Sequence, residues 1–123
     1  YTYSGHPVAC AAALATMDIY QEEGLFDNAA KMAPLIEQAA HSLKGEKHII
    51  DIRNLGVIAA LELEPREKAV GARGFEVMKK AWELGLMVRA NGDTLAFSPP
   101  LIVNESQVDQ MFTTVKQALA QVN

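Results

Sequence analysis

The stretch Ile49-Ile-Asp-Ile-Arg-Asn-Leu-Gly-Val-Ile-Ala-Ala-Leu-Glu-Leu-Glu-Pro65 changes the period of the chain. Before it, apolar residues recur at helical spacing. Within it, Ile49, Ile50, Ile52, Val57, Ile58, Leu61 and Leu63 are dense and mostly β-branched, which suits a pleated, half-buried surface. The interruption at Asn54-Leu55-Gly56 predicts two strands, about 49–53 and 56–63, joined by a tight turn or bulge. The alternation Leu61, Glu62, Leu63, Glu64 predicts one face in water. Pro65 ends the run.

Upstream, Tyr1 to Pro7 reads as a turn-rich opening, with Pro7 suited to the first turn of a helix because its missing N–H costs nothing there. The helix expected over Val8–Glu23 has no internal Gly or Pro, and its alanines allow close approach to another backbone. Gly24 is placed to end it. A second helix is expected from about Leu25 to Leu43, with Leu35, Ile36, Ala39, Ala40 and Leu43 at helical spacing, Pro34 kinking or breaking it, and Gly45 closing it.

Downstream, Arg66–Gly71 reads as a charged loop. Ala72–Leu84 carries Phe75, Met78 and Trp82 at i, i+3 and i+7, the stripe of an amphipathic helix that Gly85 ends. Leu86–Arg89 and Thr94–Phe97 are expected as strands around an Asn91-Gly92-Asp93 turn. Asn104 with Gln107 resembles a capping box, and Val108, Met111, Phe112, Val115, Leu119 and Val122 form one apolar stripe. The order is helix, helix, two strands, helix, two strands, helix. The fold class is therefore α+β, a small mostly antiparallel sheet covered by helices.

The 123 residues are one domain's worth, and half of them are hydrophobic, so a real core is expected. Lys+Arg 11 against Asp+Glu 15 gives a net charge of −4, which argues against a nucleic-acid partner. The single Cys10 excludes an intramolecular disulfide and a cysteine-based zinc site, and it reads as a buried, inert thiol in an alanine-rich helix. No apolar run approaches the ~20 residues of a membrane helix, so the expectation is no membrane and a cytoplasmic setting. The chain opens on Tyr1, in motif and not in leader, and is expected to be a piece of a longer one.

The residues that could carry chemistry are few. His6, His41 and His48 lack metal-ligand spacing, and His41 and His48 fall in polar stretches at the surface. Thr2, just before a helix N-terminus, offers a hydroxyl beside free backbone N–H groups and could hold a phosphate, although the local sequence alone favours Ser4 simply capping the helix. Arg89, following the apolar Leu86-Met87-Val88, could point into a cleft and bind a carboxylate bidentately, or stand solvated at a strand end.

Three segments in order resemble one family. Tyr1-Thr-Tyr-Ser-Gly-His-Pro-Val-Ala-Cys-Ala-Ala-Ala-Leu-Ala15 resembles the segment that opens the C-terminal part of class III, fold type I, pyridoxal-phosphate aminotransferases. Asp51–Pro65 resembles their small-domain hairpin, and Gly85–Val103 their final strand pair. The Arg53-Asn-Leu-Gly56 turn and the Val88-Arg-Ala-Asn-Gly-Asp-Thr94 stretch look most like ω-amino acid (β-alanine)–pyruvate transaminases. The resemblance implies residues 1–24 as a cofactor-proximal opening loop and long linking helix, and 25–123 as the C-terminal small domain.

It also implies site roles. Thr2 matches the threonine that contacts the phosphate of pyridoxal 5′-phosphate held by the neighbouring subunit of a homodimer. Arg89 matches the arginine that pairs with the substrate carboxylate. Arg53 reads as structural, in an ion pair with Asp51. The family's Schiff-base lysine, the acid facing the pyridine nitrogen and the ring stacked on the cofactor belong to segments upstream of these motifs. Of the seven lysines, Lys79 and Lys80 fall on one helix, Lys31, Lys44 and Lys116 on others, and Lys47 and Lys68 in loops. None has the desolvated setting that imine chemistry needs.

The resemblance thus implies no catalytic residue in this chain and no activity of the chain alone. The intact protein is expected to pass an amino group from an ω-amino acid or amine, such as β-alanine, to pyruvate. Two other readings stand beside it: a self-standing small-molecule-binding or regulatory module, and an isolated small domain that binds nothing. The alanine-rich helix leads us to expect self-association.

Overall fold

The computed structural model describes all of residues 1–123. Its elements are α1 (Pro7–Glu22), α2 (Leu25–His41), β1 (Ile49–Leu55), β2 (Ile58–Leu63), α3 (Ala72–Glu83), β3 (Arg89–Asn91), β4 (Thr94–Phe97) and α4 (Glu105–Ala120). The expected order holds, and the α+β class with it. All neighbouring strands are antiparallel, in the order β1-β2-β4-β3, which leaves β3 on an edge.

The register decides which side chains face the helices. Directly opposed residues of an antiparallel pair share a face. One row runs Ile52, Leu61, Leu95, Ala90, and beside it Ala59 opposes Phe97. Leu61 and Leu95 are fully buried here against Ile36 of α2, Val77 of α3 and Val115 and Leu119 of α4. Phe97 stacks on Phe112 with ring centroids 5.1 Å apart. The other face carries the rows Arg53, Ala60, Ala96, Arg89 and Asp51, Glu62, Thr94, Asn91, and no helix covers it. The predicted alternation of Leu61, Glu62 and Leu63 is this division.

Helix α4 forms as its local sequence requires. Asn104 Oδ1 accepts from Gln107 N–H at 3.0 Å and Gln107 Oε1 accepts from Asn104 N–H at 3.1 Å, so the capping box is complete. Helix α2 runs through Pro34 without a break. The carbonyl that Pro34 cannot serve belongs to exposed Ala30, where water can take the bond, while Met32, Ile36 and Ala40 hold the other side in the core.

Four expectations are corrected. The β1–β2 turn is the two residues Gly56-Val57, so the strands continue through Asn54-Leu55. Gly56, at φ 56°, supplies the positive dihedral that such a turn needs, and the irregularity in the ladder lies at Ile50 instead. Lys44 lies in a turn beyond α2.

The core face of α3 is Gly74, Val77 and Ala81, with Met78 partly buried against the core, while Phe75 and Trp82 are 54% and 65% exposed. Its cause is a close approach. A Cβ on residue 74 would fall on the Gly92 carbonyl oxygen and 2.9 Å from Asp93 Cα, so α3 can seat against the β3–β4 turn only through a glycine. That fixes the helix's rotation and leaves the bulky stripe at the rim.

Cys10 is exposed, because α1 buries none of its side chains in this chain. Its principal neighbour is α2, reached through an edge-to-face contact of Tyr20 with Phe26 at 5.1 Å.

Candidate functional site

Arg89 opens β3 rather than closing the strand that the sequence predicts over Leu86–Arg89. Along Leu86–Asn91 the even-numbered residues turn toward the core, with Val88 buried, and Met87, Arg89 and Asn91 turn outward. Arg89 is exposed on the helix-free face, opposite Ala96, with Ala60 the next residue across the sheet. The two residues directly across from it thus carry only methyl groups. Its guanidinium joins none of the ion pairs of the chain. A groove of about 360 Å³ runs past it, lined among others by Met87, Ala96, Phe97, Pro99 and Met111. An unpaired guanidinium beside an apolar groove on a strand is suited to fork onto a carboxylate.

Arg53 lies at the far end of the same row and is already engaged. Its Nη1 donates to Asp51 Oδ2 and to Glu62 Oε2, both at 2.5 Å. Glu62 first, and Asp51 with it, hold its proton more tightly than an arginine ordinarily does. The expected structural pair with Asp51 is present, with Glu62 as an added partner.

Thr2 lies in the exposed turn over residues 2–5 that leads into α1. Ser4 does not cap the helix. His6 occupies the N-cap position, and no side chain accepts from the first-turn N–H groups. The hydroxyl of Thr2 and the open positive end of α1 make a donor set that fits a phosphate. Thr2 is not part of the groove at Arg89.

No lysine is buried. Lys31, Lys44, Lys47, Lys68, Lys79 and Lys116 are exposed and Lys80, partly covered, is paired with Glu83 at 2.6 Å. His41 Nε2 meets Asn54 Oδ1 at 2.9 Å in solvent. His48 is half-buried and its Nε2 meets the Val122 carbonyl at 3.3 Å, which fixes the proton on that nitrogen. Burial, then the nearby Arg73, pushes its pKa below the ordinary imidazole value.

One residue escaped the sequence reading. Asp93, 8% exposed, accepts from the backbone N–H groups of Gly71 at 2.6 Å and Gly74 at 3.0 Å. It caps α3 from another element, which matters because α3 has no cap of its own. The only trace in the sequence is an acid in the turn beside Arg89's strand.

The family profile described as Aminotransferase class-III matches residues 1–119. An omega-aminotransferase of Caulobacter vibrioides is 46% identical over 123 residues, 100% of this chain and 28% of that protein. A beta-alanine–pyruvate aminotransferase of Pseudomonas aeruginosa is 44% identical over 119 residues, 97% of this chain and 27% of its own length. Among solved structures, the omega transaminase from Pseudomonas jessenii in complex with PMP superposes with a TM-score of 0.89 at 38% identity, covering 98% of this chain and 28% of that one. A thermostable six-fold mutant from the same organism gives 0.90 at 38% identity, with the same coverage.

The chain belongs to the class-III aminotransferase family. It spans a little over a quarter of the length of these relatives.

Proposed function

We propose that this chain is the C-terminal part of a pyridoxal-phosphate-dependent transaminase that moves an amino group from an ω-amino acid or amine, such as β-alanine, to pyruvate. The observation that carries the reading is its 43–44% identity with a beta-alanine–pyruvate and an omega-amino acid–pyruvate aminotransferase and its 46% identity with an omega-aminotransferase, over nearly the whole chain, against 35% with a putrescine–pyruvate aminotransferase. Residues 1–24 form the opening loop and linking helix and residues 25–123 the small domain. Two facts support that division: α1 has no buried side chain, and the core begins with α2.

Arg89 binds the substrate carboxylate. It is a rigid strand's outward residue with no partner of its own, so its fork is free to orient a carboxylate-bearing amino donor or pyruvate. Thr2, with the open end of α1, holds the phosphate of the cofactor bound to the neighbouring subunit of a homodimer. Pyridoxal phosphate, when bound, supplies the electron sink that amino transfer needs. This chain contributes binding and orientation only. Six of its lysines are exposed and Lys80 is paired with Glu83, so none sits in the enclosed pocket that the imine step needs, and the isolated chain is inactive. The setting is cytoplasmic, and no helix is long and apolar enough to cross a membrane.

The test is the full-length protein that contains this chain, given β-alanine and pyruvate. Alanine should form, the isolated chain should form none, and Arg89→Lys should raise the KM for pyruvate roughly ten-fold by losing one charged hydrogen bond of the fork. A full-length protein that makes no alanine from pyruvate with any ω-amino donor would overturn the reading.

A further inference from the structure

The β3 strand is three residues long, lies on the sheet edge and pairs only with β4, so little within the sheet holds it. It is instead tied at both ends to one helix. At its entry, the Leu86 N–H donates to the Ala81 carbonyl of α3 at 2.8 Å, after Gly85 turns the chain at φ 89°. At its exit, the Asp93 carboxylate accepts from Gly71 and Gly74 N–H at the opposite end of α3. The Asp93 carbonyl also accepts from Leu63 N–H of β2 at 2.9 Å, which fixes the same residue to the sheet interior. Helix α3 is thus a splint laid along the strand that presents Arg89.

We propose that Asp93 is a positioning residue for Arg89, a role that rests on the carboxylate-binding reading given above. Two features separate it from an ordinary turn residue. It is buried with both carboxylate oxygens engaged, one on each N–H, and it meets α3 where Gly74 leaves no slack. Asn at position 93 retains one acceptor oxygen but turns an NH2 toward the second N–H, so one end of the splint loosens. The helix end then lacks its negative partner. Arg89, four residues away at the free end of the hairpin, samples a wider range of positions, and a bidentate grip tolerates this poorly.

The experiment uses the full-length enzyme with one fixed amine donor that lacks a carboxylate, and two acceptors: pyruvate, and an aldehyde without a carboxylate. Asp93→Asn should raise the KM for pyruvate by roughly ten-fold, short of the hundred-fold that an ångström of misplacement costs, and leave the constants for the aldehyde unchanged. Asp93→Ser, which removes the charge and one acceptor without placing an NH2 against either N–H, should likewise raise the KM for pyruvate and leave the aldehyde constants unchanged. It also decides the matter if Asp93→Asn fails to fold.

Equal losses on both acceptors, or none on either, would overturn the positioning role. Arg89→Ala is measured alongside. If it leaves the pyruvate KM unchanged, the carboxylate reading of Arg89 has failed. If it raises that KM and the Asp93 variants do not, the reading survives and the splint is wrong.

Discussion

The Asp93 carboxylate and the Gly74 backbone N–H are joined at 3.0 Å, and they meet where the β3–β4 turn comes closest to a helix. The hydrogen bond and the missing side chain are one arrangement: the first pulls the turn onto α3 and the second lets it arrive. Gly74→Ala puts a methyl group against the backbone of Gly92 and Asp93, which has no flexible side chain to give way. Overpacking of this kind costs about 1–3 kcal/mol, and urea unfolding of the chain should show a midpoint lowered accordingly. The helix-propensity gain of Ala over Gly, about 1 kcal/mol, opposes this and is expected to lose.

The rotation that Gly74 imposes on α3 separates two residues of similar hydropathic appeal. Val77 is fully buried and Trp82 is 65% exposed. Val77→Ala should cost about 1–3 kcal/mol in the chain, and Trp82→Ser within about 0.5 kcal/mol of nothing. Chemical denaturation of both variants checks the pair. The reverse ranking would mean that the bulky stripe, not the small one, faces the core.

What the sequence disclosed and what it hid divide along one physical line. Helix α4 was legible because its capping box and stripe lie within the element itself. The β1–β2 hairpin was legible in its two runs of β-branched residues and misjudged only in where Gly56 places its turn. The face of α3 was not legible, since the residue that sets it, Gly74, meets a turn 18–19 positions later in the chain. The same holds for the site. Thr2 and Arg89 acquired roles through resemblance, but Arg89's freedom follows from its register beside Ala96 and Ala60, and Asp93's from a contact with another element. Cys10 was read as core because an alanine-rich helix usually packs; α1 buries nothing within these residues.

His48 makes stability depend on pH in a window of its own. Burial and Arg73 hold its folded pKa below the ordinary value of 6.5, so the unfolded chain binds more protons there. Stability is present above 6.5 and is lost as pH falls from that value through the folded pKa. The groups facing it are Arg73 and Lys47, which favour the neutral ring, and Glu64 and the Val122 carbonyl, which oppose them. His48→Asn removes the titration and suits the positive φ of 70° at this position. Thermal melts between pH 7.5 and 5.5 should fall less for the variant than for the parent. Glu76, held low by Arg66, and Glu83, held low by Lys80, contribute stability that is present above 4.5 and lost only as pH falls below it, which leaves this window clear.

The capping box of α4 supports a helix that supplies six buried residues. Asn104→Ala removes the acceptor for Gln107 N–H at the point where the helix begins. The expected loss is about 1 kcal/mol in denaturant unfolding, with the helix otherwise intact by circular dichroism. Asn104→Ser, which can still cap, should recover most of it.

Arg53 and Arg89 stand at opposite ends of one cross-strand row, three strand spacings or roughly 14 Å apart. They are the same residue type on the same open face, and their surroundings differ in one respect. Asp51 and Glu62, opposed to each other in the adjacent row, both engage Arg53, while two alanines and a groove adjoin Arg89. A guanidinium that already bridges two carboxylates must give up both to bind a third, so Arg53 is a poor competitor for substrate. In the full-length protein, Arg53→Ala should leave the KM for pyruvate within roughly two-fold of the parent, whereas Arg89→Ala should raise it about ten-fold or more. Steady-state kinetics on the two variants make the comparison direct. If Arg53→Ala raised the pyruvate KM while Arg89→Ala did not, the substrate carboxylate would belong to the β1 end of the row, and the pairing with Asp51 and Glu62 would be a resting state of the site.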